Sequence, residues 1–254
     1  MNAAPLIVAH LVSAVRIYKR FVSPVSFIAR RFIALAGRDV CFSVPTPRCL
    51  DLGAGTTPYE FEIRKSFNIN HYIPVDLVPS TRTKLIADVC QLPIPDGQIQ
   101  LAVAFDVIQH VPDPERMLDE ITRVLLPNGY VLLTFPFLYP ECDAHDFRRW
   151  TMEGMTHALN SRGFEMIHTD RRGGGFFAVA CAVTWAIQHL IPGQRRGWRA
   201  NRSWLGVTHA ALVMALTVPV QPFLWIALGI DYFLPPGGYY MGGAVFARKI
   251  IRQK

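Results

Sequence analysis

Apolar positions recur at two spacings along the chain. Val25, Ile28, Phe32 and Leu35 follow helical spacing, with Arg30 and Arg31 off that stripe. Ser23-Pro24 reads as an N-cap with a first-turn proline, and Gly37 as the stop. An earlier helix is expected after Pro5, with Leu11, Val15 and Tyr18 on one face. From Arg48 onward, short apolar runs alternate with amphipathic ones. Strands are predicted over 48–52, 72–75, 84–87, 101–105, 130–135 and 164–168, and helices over 58–67, 113–125 and 151–162. Asp113-Pro114 and Thr151 start two of these helices, Gly163 ends one, and Pro127-Asn128-Gly129 turns the chain between helix and strand. Such alternation predicts an α/β fold with a parallel, doubly wound sheet covered on both faces.

The last third breaks the rhythm. Residues 173–194 contain no Asp, Glu, Lys or Arg; Arg195, Arg196, Arg199 and Arg202 follow; residues 203–230 are again uncharged. Pro235-Pro236-Gly237-Gly238 interrupts the chain, and 239–247 reads as a final strand. The expected organisation is N-terminal amphipathic helices (1–47), a core (48–172), an apolar helical insertion (173–236), and the core's last strand with a basic tail (237–254). Either uncharged run is long enough to span a bilayer. A single span would strand the final strand across the membrane from its sheet. Two spans would place four arginines on the outer side, against the positive-inside tendency. Pro219 and Pro222 also interrupt the second run. The expectation is therefore a helical hairpin resting on a membrane surface, leaving the sheet at its active-site edge. Packing on the domain, or forming a dimer core, is the competing expectation.

Composition sharpens this picture. A chain of 254 residues, 51% of them hydrophobic, suffices for one α/β domain with a large core. Residues 1–48 carry seven Lys/Arg against Asp39, residues 49–172 eleven against seventeen Asp/Glu, and residues 173–254 eight against Asp231. Basic, apolar arms thus flank an acidic middle, and an anionic membrane surface suits them better than nucleic acid. Cys41, Cys49, Cys90, Cys142 and Cys181 are odd in number and lack CxxC spacing. They are expected to be free thiols in a reducing compartment, with no metal site. The early apolar run precedes its basic residues rather than following them, so no secretory signal is expected.

The chemistry gathers at predicted strand ends. The first strand ends in Asp51-Leu52-Gly53-Ala54-Gly55, a glycine turn able to bring backbone close to a ligand before a helix starts. Asp76 ends the second strand, where a carboxylate can accept from ribose hydroxyls, and Asp88 ends the third. Three carboxylates at adjacent strand ends mark the ligand edge of an open α/β sheet. A nicotinamide fingerprint is excluded, because Pro58 stands where its third glycine belongs.

These residues resemble the class I, Rossmann-like S-adenosylmethionine-dependent methyltransferases, in the type 11-like subgroup. Asp51–Gly55 is similar to the first family motif, Val75-Asp76 to the second and Asp88 to the third. Ala104-Phe105-Asp106-Val107-Ile108-Gln109-His110-Val111 is similar to the segment after strand four, and Arg123–Gly129 to the family's "RvLkPGG" turn, with Asn128 for a glycine. Thr57 departs from the pattern, since many members carry a third glycine there. The resemblance implies a seven-stranded sheet with an antiparallel last strand and S-adenosyl-L-methionine as cofactor. It implies that Gly53 and Gly55 approach the methionine portion, that Asp76 binds ribose, that Asp88 and Val89 flank adenine, and that Asp51 and Phe105 belong to the same site.

Methyl transfer from a sulfonium is an in-line displacement, so the protein mainly aligns the acceptor and removes a proton if the acceptor is a hydroxyl. His145-Asp146 and Arg148 resemble an "HDxxRxT" pattern of a subgroup linked to glycan and lipid pathways. His145 is the first candidate base, Asp146 its companion, and His110 the second candidate. A structural role, with Asp146 and Arg148 pinning the loop, is the alternative. The expected function is methyl transfer to an amphiphilic, lipid-linked or glycan acceptor, at a hydroxyl, on the cytoplasmic membrane face, with a homodimer through the insertion as a further option. The alternatives are a soluble small-metabolite acceptor and an inactive cofactor-binding scaffold. Nucleic acid is disfavoured, since no Asn-Pro-Pro-aromatic signature is present.

Overall fold

The structure, a computed structural model, describes residues 23–40, 42–141, 145–189, 218–234 and 237–250. The expected first helix, Cys41, Cys142, the Arg195–Arg202 cluster and Pro235-Pro236 lie outside the described residues. The elements are α1 (Pro24–Arg38), β1 (Arg48–Leu52), α2 (Glu60–Phe67), β2 (His71–Asp76), β3 (Leu85–Ile86), β4 (Ile99–Phe105), α3 (Pro114–Val124), β5 (Leu125–Pro136), α4 (Met152–Asn160), β6 (Phe164–Arg172), α5 (Gly175–His189), α6 (Gln221–Phe233) and β7 (Gly242–Lys249). Short 3₁₀ turns cover Ile108–His110 and Val218–Val220.

The chain divides into two compact units. The larger comprises Ala29–Phe137, His145–Arg172 and Gly242–Lys254. It holds one seven-stranded sheet in the order β3-β2-β1-β4-β5-β7-β6, with β7 antiparallel to both neighbours and the β3-β2-β1-β4-β5 pairs parallel. This is the expected Rossmann-like arrangement. Its strands bury side chains on both faces with a period of two. Leu50, Ala102, Val131 and Val245 pack on one face against Met117, Leu118 and Ile121 of α3 and Met155 and Leu159 of α4. Cys49, Leu101, Leu132 and Phe246 pack on the other against Phe32 and Ile33 of α1 and Ile63 and Phe67 of α2.

Local chemistry sets the element ends. The carboxylate of Asp113 accepts from the Arg116 N–H at 3.1 Å, with Pro114 in the first turn. Thr151 caps α4 through Gly154 N–H at 3.0 Å. Asn128 takes the left-handed conformation (φ 62°) that the turn asks of it. Four expectations need correction. Gly37 lies inside α1, where a Cβ would fall 2.4 Å from the Ser66 carbonyl oxygen; its smallness serves close helix approach, not termination. The turn at 127–129 interrupts β5 rather than preceding it: Leu125 pairs with Ile99, and Tyr130 with Leu101. β6 runs on to Arg172, because its pairing with β7 continues to Gly242. The final strand starts at Gly242 rather than 239, where a Cβ would fall 2.4 Å from the Phe135 carbonyl oxygen, and at Gly243 2.2 Å from its ring.

The second unit comprises Met1–Ile28, Leu138–Ala144 and Gly173–Met241. Ile28, Phe177, Cys181, Leu224 and Met241 form its core. Asp231, the sole acidic residue after 172, reaches from α6 to the start of α5, where its carboxylate accepts from Phe176 N–H at 3.1 Å and Phe177 N–H at 2.8 Å. That anion at a helix N-terminus locks the two helices together. Outward, α5 presents Phe176, Val179 and Val183, and α6 presents Phe223, Ile226, Ile230 and Phe233, all exposed and at helical spacing. No helix among the described residues is long and apolar enough to cross a membrane.

Candidate active site

The carboxyl ends of β1, β2 and β4 place their loops side by side. After β1 the chain turns through Gly53 (φ 64°) and Gly55 (φ 51°). A Cβ on Gly53 would meet Val107 at 2.6 Å, so only glycine lets this loop lie on the segment after β4. A Cβ on Gly55 would meet nothing within 4 Å, so this glycine faces open space. Gly55 N–H donates to Asp76 Oδ2 at 2.8 Å, and Val78 N–H to Asp76 Oδ1 at 2.9 Å. Each oxygen of that carboxylate keeps a further lone pair. Leu77, 65% exposed, stands beside it. Three of the residues expected to act together are thus joined directly: Gly55 and Asp76 by a hydrogen bond, and Gly53 within the same turn. A diol accepting site flanked by an exposed apolar side chain and a glycine-lined gap fits a nucleoside.

Asp51 sits beneath that loop rather than on its surface. It is 3% exposed and accepts a short hydrogen bond from the Tyr72 hydroxyl. Burial pushes its carboxyl up to about 7, the Tyr72 hydrogen bond working against this and Glu60 and Asp76 adding to it. Asp88 is exposed, its Oδ1 accepting from Cys90 N–H at 2.8 Å, whereas the Val89 side chain is buried in the core. Phe105 packs on Tyr59 with ring centroids 4.7 Å apart, closing one side of the first loop.

The segment after β4 carries the other candidates. His110 Nδ1 lies 2.9 Å from the His145 carbonyl oxygen, and Phe147 N–H donates to the Gln109 carbonyl at 2.8 Å, so the 145–147 loop is held on the 3₁₀ turn. A carbonyl only accepts, so His110 carries its proton on Nδ1 there and leaves Nε2 as the basic atom. His145 itself is exposed, its ring stacked on Phe147 at 6.0 Å. The Asp146 side chain is buried and paired through both oxygens with Arg149.

Sequence reasoning missed a second network. Asp106, in the left-handed region (φ 52°), is gripped at both oxygens by Arg172, which also donates to the Phe135 carbonyl at 3.0 Å. Gln109, 3% exposed, donates to the Asp106 carbonyl at 2.6 Å. Asp106 ends a strand as Asp76 does, which was a readable signal. Arg172 offered none, for its partner lies far away in the chain.

Residues 50–133 match the family model described as a methyltransferase domain. A probable S-adenosylmethionine-dependent methyltransferase of Mycolicibacterium smegmatis is 29% identical over 89 residues, 32% of this chain and 35% of that one. The chain spans about a third of the length of the curated relatives it matches. Among solved structures, the cyclase SpnF superposes with a TM-score of 0.54 at 17% identity, over 88% of this chain and 82% of that one. The Haemonchus contortus phosphoethanolamine N-methyltransferase 2, solved with phosphomonomethylethanolamine and S-adenosylhomocysteine, superposes with a TM-score of 0.52 at 16% identity, over 92% of this chain and 59% of that one.

Proposed function

We propose, on the premise that residues 50–133 belong to the methyltransferase domain family, that this chain transfers the methyl group of S-adenosyl-L-methionine to an amphiphilic, lipid-linked or glycan acceptor, at a hydroxyl. The observation that carries the cofactor reading is the Gly55–Asp76 cradle. When bound, the cofactor supplies a methyl group on a positively charged sulfur. Asp76 offers its free lone pairs to the ribose diol, Leu77 an apolar surface for the base, with the Asp88 carboxylate and the Val89 backbone flanking it, and the Gly53–Gly55 turn the close approach that the methionine portion requires. Asp51 supports this turn from below, and Phe105 borders it.

For a hydroxyl acceptor, the O–H proton must go to a base as the new C–O bond forms and the C–S bond breaks. Nε2 of His110 is our first choice, because its tautomer is fixed by the His145 carbonyl. His145 is the second, and Asp146, taken up by Arg149, positions the loop.

The amphiphilic acceptor is favoured by the outward stripes of α5 and α6 and by the four arginines at 195, 196, 199 and 202. A protein surface this apolar marks an interaction site. Basic neighbours suit anionic headgroups, so we assign to 173–236 a seat on the cytoplasmic membrane face, to 48–172 with 237–254 the catalytic core, and to 1–47 a supporting helical arm. A homodimer through the same stripes is the competing use of that surface. The likeness to SpnF, named a cyclase, favours keeping one second reading, a cofactor-binding scaffold without methyl transfer.

Calorimetry with S-adenosylmethionine tests the core reading. Asp76→Ala is expected to weaken binding by about 1–3 kcal/mol, and wild-type affinity in that variant would remove the assignment. Transfer of labelled methyl into lipid and glycan extracts distinguishes enzyme from scaffold. Flotation with anionic liposomes tests the membrane seat: protein that stays in the soluble fraction, or binds equally well without 176–234, rules it out.

A further inference from the structure

The strands β1, β2 and β4 run parallel, so their amino ends lie at the edge opposite the glycine turn. At that edge is an open cavity of about 480 Å³, within the size range of small-ligand sites. Ile73, Ile94 and Ile99 give it apolar walls, Arg48, His71 and Lys84 line it as well, and no Asp or Glu does.

Several cations of this unit are taken up by carboxylates. Arg64 is claimed by Glu60, Arg123 by Glu120 and Asp96, Arg162 by Glu115 and Asp119, and Arg172 by Asp106. Among the described residues, neither Arg48 nor Lys84 has a carboxylate partner. Lys84 Nζ donates to the Tyr72 carbonyl at 3.1 Å, which fixes the ammonium and leaves two N–H groups. Arg48 Nη1 reaches only Gln98 Oε1, at 3.5 Å, leaving most of its fork. One wall is also built firmly. Arg123 donates to the Ile94 carbonyl at 2.7 Å and the Leu92 carbonyl at 3.0 Å, and so pins the segment that carries Ile94.

We propose that this cavity is a second binding site, separate from the methyl-transfer site, for a small organic anion with an apolar body, such as an aromatic phosphate monoester. The isoleucines take the body, and Arg48 and Lys84 take the head group, Arg as a fork and Lys as a point charge. The site stands whether or not the methyl-transfer reading does, since none of its residues belongs to the cofactor loops.

Titration of the full ¹⁵N-labelled chain with phenyl phosphate, followed by amide shifts, tests this. Saturable shifts confined to residues 48, 71–73, 84 and 94–99 are expected, in about the low-millimolar range typical of so small a probe. Benzyl alcohol and inorganic phosphate, each holding half of the recognised chemistry, are expected to bind at least about tenfold more weakly. Arg48→Glu with Lys84→Glu, both at exposed side chains, is expected to abolish saturation in a chain that still melts cooperatively, as is Ile73→Trp, which fills the cavity and keeps the cations. Absence of saturable shifts in the wild type overturns the proposal. Equal binding of inorganic phosphate, or undiminished binding in a folded charge-reversed variant, overturns it as well.

Discussion

Thr57 holds a left-handed backbone (φ 51°) while its side chain is 8% exposed. A β-branched residue adopts that conformation at a cost of about 1–2 kcal/mol. The position is the one where the sequence departs from the family's third glycine. Thr57→Gly is therefore expected to stabilise the fold by about 1 kcal/mol and to leave cofactor affinity close to wild type, as calorimetric melting and titration will show. Asp51 stores a cost of another kind. Its folded carboxyl titrates near 7, far above an unfolded aspartate at about 3.9. Between those values the folded chain keeps a proton that the unfolded chain has lost, so stability from this group is full below about pH 4 and falls until about pH 7. Asp51→Asn keeps an oxygen for the Tyr72 hydroxyl and cannot ionise. Its gain over wild type is expected to be small at pH 4 and to reach about 2–4 kcal/mol at pH 8, measured by denaturant melts. Asp51, Gly53, Gly55 and Asp76 were legible because each belongs to a strand end that can be read locally. The burial of Asp51 was not, since it depends on Tyr72 in the neighbouring strand, and neither was the Asp106–Arg172 pair, which joins the ends of β4 and β6.

Elements were legible where their own residues decide them. α3 was readable from Asp113-Pro114 and the spacing of Met117, Ile121 and Val124. The start of β7 was not, because Gly242 and Gly243 are set by Phe135 on the adjoining strand. Gly243→Ala is accordingly expected to destabilise by several kcal/mol, about 3 or more, through overpacking against a buried ring, and loss of the cooperative melt would register it. In the second unit, one carboxylate joins α6 to the start of α5 beside the apolar core. Asp231→Ala removes the acceptor of two N–H groups at the start of α5 and is expected to cost about 1–2 kcal/mol. Hydrogen exchange should quicken in α5 and α6 and stay unchanged in β1 and β4; uniform exchange across the chain would show that Asp231 has no local role.

At the scale of the molecule, the α/β architecture followed from the alternation of patterns, since buried parallel strands and their helices each carry a periodicity of their own. What covers the outward stripes of α5 and α6 did not follow, because an apolar surface is the same in sequence whether it meets lipid, protein or its own chain. The placement of β7 between β5 and β6 has a further consequence, which concerns time. Chains are made from the amino end, and β6 has no sheet partner until β7 exists. Throughout synthesis of Gly173–Met241, β5 therefore offers an unpaired edge, the kind of surface that recruits other chains. The edge closes only once Gly242–Lys249 has left the ribosome, and the interval before that is the one in which the newborn chain is most open to pairing with its neighbours.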